Sequence, residues 1–135
     1  MSATDNIDLI KGAYAAFGRG DLDAILAVLT DDIDWAADTS SDGAPWYGIR
    51  KGKASVAAFF EDIGKTIDIQ DFTPVTFAAN EDGDVFAIVR WGWRSRQTGG
   101  AANMNLHHWW RITNGKISYF RGAEDTPNTL AALGK

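Results

Sequence analysis

Along residues 5–18, Ile7, Ile10, Tyr14 and Phe17 recur at three- and four-residue steps, a spacing that predicts a helix with one apolar face. Gly18-Arg19-Gly20 closes it. Asp21 is placed to N-cap a second helix, with Leu22, Ile25, Leu26 and Leu29 as its buried stripe and Thr30-Asp31-Asp32 as its end. A short strand is expected over 33–37. Residues 38–50 read as a loop longer than the usual connection, and such loops often carry function. Trp46 and Tyr47 within it are too apolar for a bare solvated segment and should fold over something. A third helix follows Gly52, with Val56, Phe59, Phe60 and Ile63 on its apolar face.

The pattern then changes to alternation. Extended segments are expected over 67–79, 85–95, 102–112 and 116–122, separated by turns at Asn80–Asp84, Gln97–Gly100 and Asn114-Gly115. Pro74 marks an edge or a bulge in the first of these. The tail from Thr126 is expected to be a turn or a short helix. Helices followed by a strand meander predict one α+β domain over residues 1–135, an antiparallel sheet with helices on one face.

Strand parity assigns faces. Val85, Ala87, Val89, Trp91 and Trp93 should point inward. Phe86, Ile88, Arg90, Gly92 and Arg94 should point outward, where they could meet a second subunit. In the segment Leu106-His107-His108-Trp109-Trp110-Arg111-Ile112 the two adjacent histidines must diverge. His108 shares the inner face with Trp110 and Ile112, and His107 the outer face with Trp109 and Arg111.

Composition narrows the function. The 135 residues contain no cysteine, which removes disulfides, thiolate metal sites and cysteine nucleophiles and suits a cytoplasmic location. No apolar run is long enough for a membrane span, and Met1–Asp5 lacks the basic start of a signal peptide. The net charge of −5 argues against nucleic acid; the run Arg90, Arg94, Arg96 is read as decorating a strand surface. There is no His-Glu-x-x-His spacing, no phosphate loop and no Gly-x-Ser-x-Gly elbow. No metal and no cofactor are expected. Six tryptophans point to a lined cavity as readily as to a plain aromatic core.

General acid–base chemistry in an aromatic cavity remains. His108 is the first candidate, with a hydrogen-bonded core histidine as its alternative. Asp125, just past the last strand, is the second; it could instead cap the tail. Glu124 is read as its solvated neighbour. Tyr14 lies on the buried face of the first helix, as a core aromatic or as a hydroxyl donor. Asp38 opens the long loop, as a loop carboxylate or as a site residue.

Several motifs, in order, carry a resemblance. They are Tyr14-Ala15-Ala16-Phe17 running into Gly20-Asp21-Leu22-Asp23, then Asp31-Asp32-Ile33-Asp34-Trp35 and Pro45-Trp46-Tyr47-Gly48. The Phe59-Phe60 helix, His108-Trp109-Trp110-Arg111-Ile112, Asn114-Gly115-Lys116-Ile117 and Asp125-Thr126 follow. Together they resemble the SnoaL-like branch of the nuclear-transport-factor-2-like superfamily, which includes ketosteroid-isomerase-like proteins. The resemblance implies a cone-shaped, strongly curved antiparallel sheet packed on three helices of the N-terminal half. It also implies a hydrophobic pocket and a homodimer formed through the sheet. It brings a range of activities: isomerisation, aldol-type cyclisation, lyase chemistry and epoxide hydrolysis. Asp125 falls at the place of the acid–base aspartate of polyketide cyclases. Tyr14 fits an oxyanion-binding tyrosine, and Asp38 lies one residue from the isomerase base position. An epoxide hydrolase would need an inward arginine, for which Arg90 is the candidate.

The expected function is a small cofactor-free enzyme acting by general acid–base catalysis on an apolar carbonyl compound. Its catalytic groups would be Asp125, His108, Tyr14 and Asp38, with Trp35, Trp46, Phe59, Trp91, Trp110 and Phe120 lining the substrate site. A non-catalytic domain binding an apolar small molecule, or an epoxide hydrolase, are the alternatives.

Overall fold

The first helix, α1, runs over Ala3–Gly18 and begins with a reciprocal capping box in which the Ser2 and Asp5 side chains each accept from the other's backbone N–H. These are the first residues described in this computed structural model, which covers residues 2–135. Ile10, Ala13 and Tyr14 form the buried face of α1.

Asp21 caps α2, Leu22–Ala27, by accepting from the Ala24 backbone N–H. This helix is shorter than its apolar stripe predicts. Leu29 opens strand β1, Leu29–Ala37, which starts four residues earlier than expected. The cause is tertiary: Leu29 sits opposite Ile117 in the sheet, and the Ile117 N–H donates to the Val28 carbonyl at 2.8 Å. A ladder bond and full burial of Leu29 win over one more helical turn.

The predicted loop contains a short edge strand, β2, Ile49–Lys51, paired antiparallel with β1. Gly52, at φ 84°, then turns the chain into α3, Lys53–Thr66. Four strands follow: β3, Ile67–Ala79; β4, Asp84–Ser95; β5, Ala101–Thr113; and β6, Lys116–Ala123. Helix α4, Thr126–Ala132, ends the chain and settles the tail as a short helix.

The strands form one open sheet in the order β2-β1-β6-β5-β4-β3. All neighbours are antiparallel except β1 and β6, which run parallel. No hairpin joins that pair; the whole meander lies between them, so nothing forces antiparallel entry. Pro74 lies in edge strand β3 beside a register shift, where a missing N–H does least harm.

The inner sheet face packs on α1 and α3, and the open sheet bends around them. Val85, Ala87, Val89, Trp91 and Trp93 are all buried there, as alternation requires. His107, Trp109 and Arg111 are exposed on the outer face, while Trp110 and Ile112 are buried. The arginines do not make a basic patch: Arg90 pairs with Asp71 at 2.5 Å and Arg96 with Asp68 at 2.6 Å. None of the described helices is long and apolar enough to cross a membrane.

Candidate active site

Between the helices and the inner sheet face lies a pocket whose walls are mostly aromatic. Trp35, Trp46, Phe59, Trp91, Trp110 and Phe120, the six residues expected to line a substrate site, all face it. Phe17 and Phe60, from the apolar faces of α1 and α3, and Phe72, from β3, add to the lining. The rings interlock edge to face: Trp35 lies 5.6 Å from Phe59, 5.5 Å from Phe60 and 5.6 Å from Trp110, centroid to centroid. The cavity measures about 90 Å³. An engineered cavity of about 150 Å³ takes benzene, so the space within the walls has room for the reactive end of a ligand but not for several rings.

Only three lining side chains carry acid–base groups: Tyr14, His108 and Glu124. The first two are joined. Tyr14 Oη lies 2.7 Å from His108 Nδ1, and Trp110 Nε1 lies 3.0 Å from Tyr14 Oη. An indole N–H can only donate, so the tyrosine oxygen accepts from Trp110 and its proton goes to His108. His108 Nδ1 is therefore an acceptor, and in the neutral ring the proton sits on Nε2. Burial, with a smaller contribution from the neighbouring His107, pushes the His108 pKa down to about 3, which keeps the ring neutral near pH 7. Burial also raises Tyr14 well above the usual phenol range, so it stays a donor. The chain Trp110→Tyr14→His108 thus ends in an Nε2–H with no protein acceptor, on the ring edge that lies over Gly122 in the pocket wall.

Glu124 supplies the third group. Phe120, Gly122 and Glu124 follow two-residue parity from β6 into the pocket, so the inward face continues past the strand end. Trp46 Nε1 donates to Glu124 Oε1 at 3.1 Å, and the Tyr47 hydroxyl donates to Oε2 at 2.9 Å. The Thr129 hydroxyl, from α4, also donates to Oε2. Trp46 and Tyr47 belong to the long loop, which folds over this carboxylate. Burial, chiefly, raises the Tyr47 hydroxyl to about 12, so it too remains a donor. Oε1 carries a single protein hydrogen bond and keeps a lone pair for a ligand. His108 is paired with Gly122 across β5 and β6, and Glu124 lies two residues further on, about 7 Å along the chain.

Two expected carboxylates lie elsewhere. Asp125 is exposed and caps α4 by accepting from the Asn128 backbone N–H at 3.2 Å. Parity turns it away from the pocket, and the cap holds it there. Asp38 is likewise exposed, at the start of the loop, and does not line the cavity. The pairing of His108 with Asp125 is replaced by His108 with Tyr14, and Glu124, taken from sequence for a solvated neighbour, is the carboxylate of the pocket. Parity continued two residues beyond Gly122 would have found it. Arg90, the arginine needed for epoxide hydrolysis, is on the outer face with Asp71, and the pocket lining holds no arginine or lysine. Among the described residues no cluster of three or more His, Asp or Glu side chains could hold a metal ion.

Comparison with known proteins agrees with this architecture. The family model described as the SnoaL-like domain matches residues 10–120. A nuclear-transport-factor-2-like protein from Burkholderia xenovorans LB400 superposes with a TM-score of 0.86 at 26% identity, covering 98% of each chain. TerC, crystallised with polyporic acid, superposes at 0.85 with 20% identity, over 97% of this chain and 99% of that one. A protein from Xanthomonas campestris pv. campestris, provisionally named a polyketide cyclase, superposes at 0.79 with 20% identity, over 97% and 98%. No curated protein sequence matches the chain.

Proposed function

We propose that this chain, which belongs to the SnoaL-like domain family, moves a proton at the carbon next to the carbonyl of an apolar substrate, in an isomerase, cyclase or lyase type of reaction. The observation that carries the reading is the pairing of one free N–H donor with one carboxylate in an otherwise apolar pocket. A carbonyl oxygen accepts from His108 Nε2–H. Glu124 Oε1 then takes the proton from the adjacent carbon and can return it to another position. Negative charge develops on the carbonyl oxygen as an enolate, and the neutral imidazole stabilises it. Tyr14 does not touch the substrate in this scheme; with Trp110 it fixes the tautomer. The aromatic walls exclude water, which strengthens both interactions.

The test is isotope exchange. Butyrophenone in deuterated buffer should lose its alpha protons faster in the presence of the protein. Asp125→Asn should leave that acceleration in place, and Glu124→Gln should reduce it by a factor of about 100 or more, the range for general-base catalysis. Binding without acceleration would instead make the chain a small-molecule-binding domain, the second reading the same lining supports.

The outer face of the sheet completes the proposal as a homodimer surface. Phe86 and Trp109 stack there with ring centroids 6.3 Å apart, and they are 44% and 39% exposed. Such neighbouring exposed aromatics suit burial against a second copy. Light scattering should give twice the chain mass, and Trp109→Glu should lower it.

A further inference from the structure

Beside the inner pocket runs a second, more open concavity, between α1 and the edge strand β3. It offers about 420 Å³, is open to solvent, and is lined by Lys11, Ala15, Gly18, Phe72, Pro74 and Phe77 together with Tyr14. Tyr14 and Phe72 belong to both spaces. Their rings meet edge to face with centroids 5.7 Å apart, so they form the partition between groove and pocket. The inner cavity, at about 90 Å³, holds only part of any sizeable ligand. The remainder needs somewhere to lie, and the adjoining space shares its wall.

The groove also has a charge that the pocket lacks. Lys11 Nζ sits 5.3 Å above the Phe77 ring. The ion pairs of the described residues do not include it. The chain as a whole carries −5, and the inner pocket holds one carboxylate and no cation, so an anionic group is disfavoured at the reaction site. On α1, Lys11 is three residues from Tyr14, hence on the same side of the helix and about 5–6 Å away at the side-chain bases. Ala15 and Gly18 leave the helix surface between them low.

From this we infer that the groove is the second half of the ligand site. It takes an apolar tail that ends in a carboxylate or similar anion, held by Lys11, while the carbonyl end occupies the inner pocket. The proposal deepens the proton-transfer reading by naming the substrate class: an apolar keto acid with a short spacer, rather than a neutral polycycle. The tail crosses the shared wall at Phe72, a side chain that lines both spaces.

Calorimetric titration with benzoylbutanoate and with its methyl ester tests it. The pair share the aryl ketone and the spacer and differ in the anion. The acid should bind roughly three- to five-fold more tightly, the range for one exposed charge pair, and the gap should shrink with added salt. Lys11→Met should abolish the gap, and Lys11→Arg should keep it. Ala15→Leu, which fills the groove, should weaken both ligands. Equal affinities in the wild type, a gap untouched by Lys11→Met, or no binding of either ligand would overturn the proposal. The exchange chemistry is read separately. A Lys11-dependent gap in a protein that exchanges no alpha protons would leave the groove standing and remove the reaction. Exchange that depends on Glu124 without any acid–ester gap would do the reverse.

Discussion

Replacing His108 by Gln should flatten the acid limb of the stability curve. In the folded protein the imidazole accepts from Tyr14, and burial holds its pKa near 3, against 6.5 for the free side chain. The depressed folded value fixes the sign. Between these values the unfolded chain binds a proton that the folded chain does not, so acid favours unfolding. Stability is full above pH 6.5 and is lost progressively as the pH falls toward 3. The slope approaches 1.4 kcal/mol per pH unit, so passing from about pH 6 to about pH 4.5 should cost the wild type about 2 kcal/mol through this residue alone. In that window Asp71 and Asp84, whose folded values lie below 3.8, remain ionised in the folded chain, and their losses come mainly at lower pH. Urea unfolding followed by tryptophan fluorescence at the two pH values measures the difference. The Gln variant keeps an amide that can accept from Tyr14 but has nothing to titrate. It should lose about 2 kcal/mol less than the wild type over the same interval. Equal losses in both proteins would mean that His108 takes up a proton in the folded state. The neutral Nε2–H donor on which the proposed chemistry depends would then not exist.

Three other substitutions separate the roles of neighbouring residues. Tyr14→Phe strands the Trp110 N–H and His108 Nδ1 in the pocket wall and should destabilise by about 2 kcal/mol or more in urea titrations, while slowing alpha-proton exchange. Asp125→Ala should cost about 1 kcal/mol through the lost cap of α4, with exchange unchanged. Gly122→Ala places a Cβ 2.8 Å from Phe120 Cζ and 3.1 Å from His108 Cδ2. It should cost about 1–3 kcal/mol and shift the His108 ring resonances in an NMR spectrum, whereas Gly12→Ala, in open space within α1, should leave those resonances in place and stabilise by about 0.5–1 kcal/mol.

The parts of the molecule that the sequence reveals are those written in local periodicity. Alternation in β4 placed Trp91 and Trp93 inside and Arg90 outside, and helical spacing set Phe59 and Phe60 on the buried side of α3. Where a tertiary contact overrides local pattern, the reading fails. Leu29 fits the stripe of α2 but is taken by the sheet through Ile117. The parallel pairing of β1 with β6 has no local signature at all. The site divides in the same way. His108 facing inward follows from parity, but its partner Tyr14 is 94 positions away and nothing in the sequence joins them. Asp125 occupies the place of a family acid–base aspartate, but Asp125-Thr126-Pro127 is equally a helix start, and the cap is what forms. Glu124 was hidden because it lies beyond the end of the strand whose alternation it continues, and because its donors come from a loop whose course only the fold determines.

In the proposed reaction a carbonyl oxygen rests on His108 while Glu124 faces the adjacent carbon. A crystal structure of the protein soaked with butyrophenone measures this directly. The carbonyl oxygen should lie about 3 Å from His108 Nε2 and the alpha carbon within about 3.5 Å of Glu124 Oε1, a near-attack arrangement. A ketone bound with its oxygen turned away from His108, or with its alpha carbon remote from Glu124, would contradict it.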